Sequence, residues 1–475
     1  MEGGDWLLIL TGLMPTVILV LAAFADRRHG IFSPFVLMTP SFFVGMFLRP
    51  LAYTMGQTHE RPELNFAGLF NGEMVTTSLW VTGFLIAFVF GYFVFVGRRG
   101  TEPIGVDSGG YMRSRVLGVS VTVCVVAVAS LFIYLAVNGA TLSGIGDIST
   151  KRKVETDAGV RLATGGQYLF LIQFALANSI VLAAIWWRHL KIRRSNALWF
   201  SIIGCVAVVG ITGFLISSRR TVLFALLPVL TVLHFEGRLP TRRLILGGLG
   251  LLFVFNLIFV LRGAGRTGLT IGDVPSRMVS IEPFTKTADG PEISKLTRIM
   301  GRYNEPQDYL WGGTVRDSLL GLVPRALWPN KPNFSLGAKV TEEVYGFTPG
   351  RGTGGQTASA LGEWVINFGP VGLVLGGFVM GLVSALVMRL VFPTPDSSLL
   401  QILTFLVIHP GLTIYAYLNS VSAALNYTLL TAVQCGMLYV VYQAIGRLKN
   451  RPNLLTDDPY RDDDYDQLVA ELEAT

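Results

Sequence analysis

The sequence predicts an all-α polytopic membrane protein with about 11 transmembrane helices (10–12) and one large extracytoplasmic loop that carries short amphipathic helices. Hydrophobic residues make up 51% of the 475 residues and charged residues only 15%, whereas a soluble domain averages about 25% charged residues. The mean hydropathy is +0.53. Glycine is abundant, at 53 residues, which suits close helix packing in lipid. This composition excludes a soluble enzyme.

Apolar runs of the length that crosses a bilayer, about 20 residues, define the elements in order. They are Trp6–Ala25, Ile31–Leu48, Met74–Val96, Val116–Val137, Gly166–Trp187, Ala197–Ile216, Thr221–Phe235, Leu244–Leu261, Phe368–Val391, Leu399–Leu418 and Val421–Gln443. The second run is weak because it contains two prolines, and the seventh is weak because it is short. The chain therefore divides into an N-terminal bundle (1–261), the large loop (262–367), three C-terminal transmembrane helices (368–443) and an acidic cytoplasmic tail (444–475).

The distribution of basic residues orients the spans, because Lys and Arg accumulate in short cytoplasmic loops. The segments after the odd-numbered runs, together with Arg389 at the end of the ninth, hold 18 basic residues, and the short segments after the even-numbered runs hold 8. We therefore expect the N-terminus outside and the C-terminus in the cytoplasm. The large loop then lies on the outer face, although it is too long for the rule itself to apply.

Basic residues on the outer side indicate an anionic ligand there. The large loop holds 12 Lys and Arg residues, and Arg219 and Arg220 lie in the short segment between the sixth and seventh runs. Arginine recognises phosphate groups with two parallel hydrogen bonds. The alternative for Arg219 and Arg220 alone is that they are ordinary membrane-edge residues whose heads reach the interface.

Two segments of the loop have a recognisable pattern. Ile293, Leu296, Met300 and Tyr303 recur at helical spacing, and Lys295 lies on a second, basic face. This pattern predicts an amphipathic helix at the membrane interface or on a small outer domain. Further on, three prolines between 324 and 332 exclude regular helix. The rigid turn between them presents three side chains suited to a phosphorylated sugar: Arg325, Trp328 and Lys331.

The loop ends in a glycine-rich run that contains Arg351, followed by Glu363 and Asn367. These two residues are four positions apart and share one helix face at the entrance to the ninth span. A carboxylate at an apolar membrane edge can serve as a general base. The alternative for Glu363 is a helix N-terminal charge that the helix dipole favours.

At these residues the chain resembles the Wzy-type bacterial oligosaccharide repeat-unit polymerases of O-antigen and exopolysaccharide. The resemblance rests on the many-span layout with one late outer loop, and it covers the chain from about residue 200 onward. Its motifs are the Ser217-Ser218-Arg219-Arg220 junction, the Pro324-Arg325…Trp328-Pro329…Lys331-Pro332 turn and the run Gly355…Leu361-Gly362-Glu363…Asn367-Phe368-Gly369.

The resemblance implies a glycosyltransferase with a GT-C-like fold in the bacterial inner membrane. It would polymerise repeat units carried on undecaprenyl pyrophosphate, at the outer face of the membrane. Its expected partners are these lipid-linked oligosaccharides and the bilayer, and they could include a chain-length regulator; nucleic acid is not expected. No acidic cluster indicates a divalent metal site, so we predict metal-independent transfer without a cofactor.

Transfer releases a pyrophosphate, so stabilising its negative charge should be the largest catalytic contribution. The candidates for pyrophosphate binding are Arg219, Arg220, Arg325 and Arg351, followed by Arg262 and Arg266. Arg325 and Glu363 are the predicted catalytic residues, with Glu305 and Asp317 as alternative bases. Trp328, Lys331, Asn367 and His409 are the predicted glycan contacts.

Two other functions remain open from the sequence. An O-antigen ligase would use the same donor with a different acceptor. A transporter or flippase for anionic lipids predicts internal symmetry and ionisable residues near the membrane midplane. His409 is the intramembrane candidate for such a residue, and the alternative for it is a packed histidine. The glycine pairs Gly372–Gly376 and Gly377–Gly381 have the spacing of close helix contacts.

Overall fold

The architecture was taken from a computed structural model of the chain. It describes residues 3–55, 71–96, 113–137, 166–188, 196–215, 219–235, 239–243, 246–247, 291–323, 327–328, 330, 335–346, 357–394 and 397–449. Within these ranges the chain is almost entirely helical and has no strand. This confirms an all-α polytopic membrane protein.

The helices follow the predicted apolar runs. They are α1 (Gly3–Ala25), α2 (Pro34–Thr54), α3 (Asn71–Val96), α4 (Arg113–Val137), α5 (Gly166–Arg188), α6 (Asn196–Leu215), α7 (Arg219–Phe235), α8 (Ile293–Arg302), α9 (Gly313–Gly321), α10 (Leu336–Glu343), α11 (Ser359–Val391), α12 (Leu399–Leu418) and α13 (Val421–Lys449). Nine of these described helices are long and apolar enough to span a membrane, and α7 is a shorter apolar helix. Apart from residues 246–247, the predicted span Leu244–Leu261 lies outside the described ranges.

Two spans, α2 and α12, contain an internal proline that is followed by a π-helical stretch, and neither helix is interrupted there. In α2, Pro40 is followed by a π-helical stretch at Phe43–Leu48, and in α12, Pro410 is followed by one at Gly411–Tyr415. A proline removes one backbone hydrogen bond and displaces the carbonyl four residues earlier. In both spans the π-helical stretch lies after the proline, and the helix continues beyond it.

The core of the bundle is the pair α3 and α11, which pack against each other along most of their length. A Cβ atom on Gly377 or Gly381 would overlap the backbone carbonyl of Phe84 or Phe88, respectively. The close helix contact predicted for Gly377–Gly381 is therefore confirmed. The pair Gly372–Gly376 instead makes room for two aromatic rings of its own helix.

α11 is broken at Gly369, which has φ +68° and ψ −168°. This conformation is essentially restricted to glycine. The turns before the break do not continue the axis, because Trp364 lies over Gly376 and Phe368 over Gly372. The break separates the segment with Glu363 from the predicted span, which begins at Phe368. The residues of α11 before the break, which the sequence analysis assigned to the large loop as far as residue 367, therefore belong to the helical bundle.

α8 forms at the predicted position, but it is not a surface helix. It packs against α3 and α11, and buried residues extend around it from Ile293 to Thr297. Lys295, predicted to lie on a basic outer face, is only 2% exposed. The reason is that the helix is covered on several sides by spanning helices, which its own periodicity cannot reveal.

Two ends of the bundle can be distinguished. The end that contains the first turns of α11 and α13, together with the last turn of α12, is called the Glu363 end below. The end that contains the last turn of α1 and the connection between α11 and α12 is called the Asp26 end.

Candidate functional site

Asn367 holds the segment before α9 against α11. Its Oδ1 accepts hydrogen bonds from the backbone N–H groups of Gly312 (3.0 Å) and Thr314 (3.4 Å). Its Nδ2 donates to Thr314 Oγ1 (2.7 Å) and to the carbonyl of Glu363 (2.8 Å). The backbone N–H of Trp311 also donates to the carbonyl of Asn367 (3.0 Å). A single buried amide therefore fixes a turn that is more than fifty residues away in sequence.

Glu363 connects α11 to the N-terminus of α13. Its Oε2 accepts a hydrogen bond from the backbone N–H of Ser422 (2.9 Å), where the helix dipole favours a negative charge. Ser420 caps the same helix by accepting from the N–H of Ala423 (3.1 Å). The side chain of Glu363 is 2% exposed, and its Oε1 is buried without a hydrogen-bond partner among the described residues. The predicted base is thus an enclosed carboxylate with one oxygen committed to a helix N-terminus.

α9 lies between these two features. Ser318 on α9 donates to the carbonyl of Ser422 (2.7 Å), so α9 follows the first turns of α13. Thr314 and Ser318 are both buried. Polar residues of α9, α11 and α13 therefore meet in one enclosed cluster at the Glu363 end.

Aromatic rings surround this cluster. Trp311 packs against Tyr309 (ring centroids 5.8 Å apart) and Phe368 (6.2 Å), and Trp364 packs against Phe368 (5.7 Å). Trp311 has φ +48° and is 67% exposed. Such rings are enriched at the boundary between lipid and water and also stack on sugars.

A buried ion pair anchors α8 to α2. Arg49 on α2 pairs with Glu292 at the start of α8, and Ser294 donates a further hydrogen bond to Glu292 (2.9 Å). Thr297 donates to Thr77 on α3 (2.9 Å). A buried pair of this kind is costly to break from one side, because the remaining charge stays out of water.

The residues between α8 and α10 form a second, more exposed polar group. Burial, reinforced by a hydrogen bond to Glu343, raises the pKa of Tyr303. The hydrogen bond to Asp308 (3.0 Å) raises the pKa of Arg302. Tyr303 therefore stays protonated and Arg302 stays charged throughout the physiological range.

The structure brings together Glu363 and Asn367 among the predicted site residues. The alternative bases lie elsewhere: Glu305 is exposed and accepts from Gln307, and Asp317 pairs with Arg316 (2.9 Å). Trp328 is half-buried. Five predicted site residues lie outside the described ranges: Arg262, Arg266, Arg325, Lys331 and Arg351.

Arg219 and Arg220 are the first residues of α7, but their side chains are outside the described part. The position of α7 follows from Phe224, whose ring packs against Tyr415 (5.4 Å) and Tyr427 (4.9 Å). Both tyrosines lie near the Glu363 end, so α7 begins at that end.

His409 does not join the cluster. It is 3% exposed, its ring stacks on Phe405 (4.7 Å), and its Nε2 has no hydrogen-bond partner within the described part of the chain. Phe405 in turn contacts Phe32 and Phe392, which belong to the Asp26 end. His409 is therefore roughly 13 Å along α12 from the last residue of this helix, Leu418, at 1.5 Å per residue, and so lies away from the Glu363 end. The structure favours a packed histidine.

A cluster at the Asp26 end was missed by the sequence reasoning. His29 Nδ1 lies 2.6 Å from Asp26 Oδ1, and Tyr92 donates to Asp26 Oδ2 (2.9 Å). All three side chains are buried. The spacing of Asp26 and His29, three residues apart at the end of a span, was a local signal of their pairing. The participation of Tyr92 had no such signal.

The fold and the cluster of Glu363 and Asn367 define a polytopic helical membrane protein with an enclosed polar site at the Glu363 end of the bundle. Among the described residues, no group of three or more His, Cys, Asp and Glu side chains could hold a metal ion. Metal-independent chemistry stays a prediction. No protein-family model, curated protein or solved structure matches the chain.

Proposed function

We propose that the chain is a glycosyltransferase that polymerises oligosaccharide repeat units carried on undecaprenyl pyrophosphate at the outer face of the bacterial inner membrane. The growing glycan leaves its lipid pyrophosphate and joins the terminal sugar of a new lipid-linked unit. The predicted GT-C-like fold, the orientation of the termini and the partners belong to the same proposal.

The observation that carries the proposal is the enclosed cluster in which Asn367 binds the turn before α9 and Glu363 binds the N-terminus of α13. Both residues belong to the motif on which the resemblance rests, and Asn367 makes four side-chain hydrogen bonds. Enzymes hold reactive groups on such supported backbones so that no reorganisation is needed during the reaction. The adjacent rings of Trp311 and Trp364 suit a substrate with a sugar at a membrane edge.

The start of α7 at the same end supports the pyrophosphate site. Arg219 and Arg220 occupy the first turn of this helix, where backbone N–H groups and the helix dipole favour an anion. With Arg325, Arg351, Arg262 and Arg266, they remain the proposed ligands of the leaving pyrophosphate. A lipid-linked substrate would have its charged group at this level and its chain in the bilayer.

The proposal is tested by glycan profiling of a deletion strain complemented with variants. Arg325→Ala should abolish polymer while protein level stays normal, because the leaving charge loses a partner. The matched control is Arg302→Ala, since the exposed Arg302 pairs with Asp308 and is not one of the proposed pyrophosphate ligands. Single-repeat glycan attached to the cell supports a polymerase. Unattached polymer identifies a ligase, and normal polymer in the Arg325→Ala strain contradicts the proposal.

Glu363→Gln separates a base from a positioning residue. The amide oxygen can still accept the hydrogen bond from Ser422, so the connection to α13 is kept while basicity is lost. If Glu363 is the base, the variant accumulates to normal levels without making polymer. Retention of polymer assigns the proton transfer to another group and leaves Glu363 a positioning role.

A further inference from the structure

The face that α9 turns away from the bundle is apolar, and the face that it buries is polar. The buried side consists of Thr314, Ser318 and the half-buried Asp317 and Gly321. The exposed side carries the large aliphatic residues Val315 (36%), Leu319 (46%) and Leu320 (37%), and Leu322 (40%), the residue directly after α9, continues this side. A helix on a water-exposed surface has the opposite arrangement, with its apolar stripe toward the core.

The depth of α9 follows from its contacts with spanning helices. Ser318 bonds to Ser422, and Gly321 lies beside Asn426. Because both positions advance together, α9 runs alongside the first turns of α13. Its exposed side chains are therefore level with the start of a membrane span.

The two spans against which α9 packs also expose apolar side chains. Just below the break in α11, Val371 is 63% and Leu375 is 59% exposed. On α13, Leu429 and Val433 are also exposed. These belong to helices that cross a membrane, so lipid covers them. Because α9 packs against these two helices at the Glu363 end, its exposed apolar face adjoins a part of the bundle that lipid covers.

Charged and aromatic residues lie at the edge of this surface that is nearest the Glu363 end. Arg316 is exposed beside the aliphatic residues and is paired with Asp317 through Nε (3.0 Å) and Nη2 (2.9 Å). An arginine at this position can keep its stem on apolar surface while its head reaches lipid headgroups. The exposed Trp311 lies at the same edge, where aromatic residues are enriched.

We propose that α9 is an interfacial membrane anchor whose exposed face, Val315, Leu319, Leu320 and Leu322, is seated among the acyl chains of the leaflet at the Glu363 end. The predicted interfacial helix at Ile293–Arg302 is instead internal. The enclosed cluster of Glu363 and Asn367 then lies directly behind a lipid-facing wall. This inference does not depend on the proposed activity.

The test measures what a nitroxide label on α9 encounters in the full-length protein, reconstituted in phosphatidylethanolamine and phosphatidylglycerol vesicles. Cys124, Cys205 and Cys435 are replaced by alanine, and the label is attached to Leu319→Cys. Leu375→Cys is the lipid-facing reference, and Glu305→Cys is the water-facing reference. Collision with oxygen reports lipid, and collision with a water-soluble nickel chelate reports water.

A label at Leu319 should give the oxygen-to-nickel accessibility ratio of the Leu375 label. A ratio equal to that of the Glu305 label overturns the proposal. Loss of both accessibilities together with dipolar broadening between labels also overturns it, because a second copy would then cover the face. Neither result bears on glycan products, so the anchor can fail while the proposed activity stands.

A second measurement avoids cysteine replacement. The tryptophan emission of the unmodified chain is compared with that of Trp311→Phe in vesicles of brominated lipid or with added iodide. The emission component lost in the variant should be quenched by brominated acyl chains. Quenching of that component by iodide alone would place this edge in water and overturn the proposal.

Discussion

Replacing Asn367 by alanine removes an acceptor from two backbone donors at once. The amide oxygen accepts from the N–H groups of Gly312 and Thr314, and the amide nitrogen donates to Thr314 Oγ1. Alanine reaches none of these atoms. The turn before α9 would keep its backbone bonds from Leu310 and Trp311 to α11, so the change tests the side chain alone.

The size of the effect follows from the burial of the donors. A buried polar group left without a partner costs about 1–3 kcal/mol. Thr314 is 5% exposed and should approach the upper part of that range, whereas the half-buried Gly312 can recover part of its loss from water. The local stability of the turn should therefore fall by about 2–4 kcal/mol, which corresponds to roughly 30- to 1,000-fold faster exchange of its amide hydrogens.

Hydrogen exchange followed by mass spectrometry on the purified protein measures this directly. Asn426→Ala is the matched control, because it removes the same amide from α13, where the side-chain oxygen accepts no hydrogen bond among the described residues. Exchange of 310–316 should accelerate in Asn367→Ala and stay unchanged in Asn426→Ala. Unchanged exchange in Asn367→Ala would refute the role of this side chain as the clamp of the turn.

Three further substitutions test the fold through thermal unfolding of the purified protein. Gly369→Ala should destabilise it by more than the strain of about 1–3 kcal/mol expected for this backbone conformation, because the new Cβ also overlaps Tyr309; an equal melting temperature would contradict the break in α11. Arg49→Met should cost about 3–5 kcal/mol by leaving Glu292 buried without its partner, and adding Glu292→Leu should restore most of it. Tyr92→Phe should cost about 1 kcal/mol through the lost hydrogen bond to Asp26, and no change in melting temperature would argue against that bond.

The spanning helices could be predicted because hydropathy is a local property of the chain. The predicted run Leu399–Leu418 matches α12, and Met74–Val96 differs from α3 only at its start. The two prolines of the second run weakened its sequence signal, but the helix continues through Pro40 to Thr54. The predicted start of the ninth span at Phe368 was one residue from the break at Gly369.

The contacts that build the site could not be predicted in the same way. Glu363 and Asn367 were selected correctly as neighbours on one helix face, because a spacing of four fixes that. Their partners Thr314 and Ser422 are separated from them by more than fifty residues. The burial of Lys295 and the inverted polarity of α9 have the same origin: both depend on which helices pack around a segment, and periodicity describes only the segment itself.

The enclosure of Glu363 and the exposure of α9 constrain how the proposed site could work. A base must approach the acceptor hydroxyl to about 2.6–3.2 Å, but Glu363 is 2% exposed and lies behind the turn that Asn367 holds. Substrate could therefore reach Oε1, which lacks a hydrogen-bond partner in the described ranges, only if that turn opened. Of the two alternative bases, Glu305 is exposed and Asp317 is half-buried and paired with Arg316, and neither bonds to Glu363 or Asn367 among the described residues. Glu363 as the base thus requires a mobile turn, whereas a positioning role requires a rigid one. The exchange rate of 310–316 with and without a lipid-linked substrate distinguishes these requirements, because acceleration on binding is consistent only with opening.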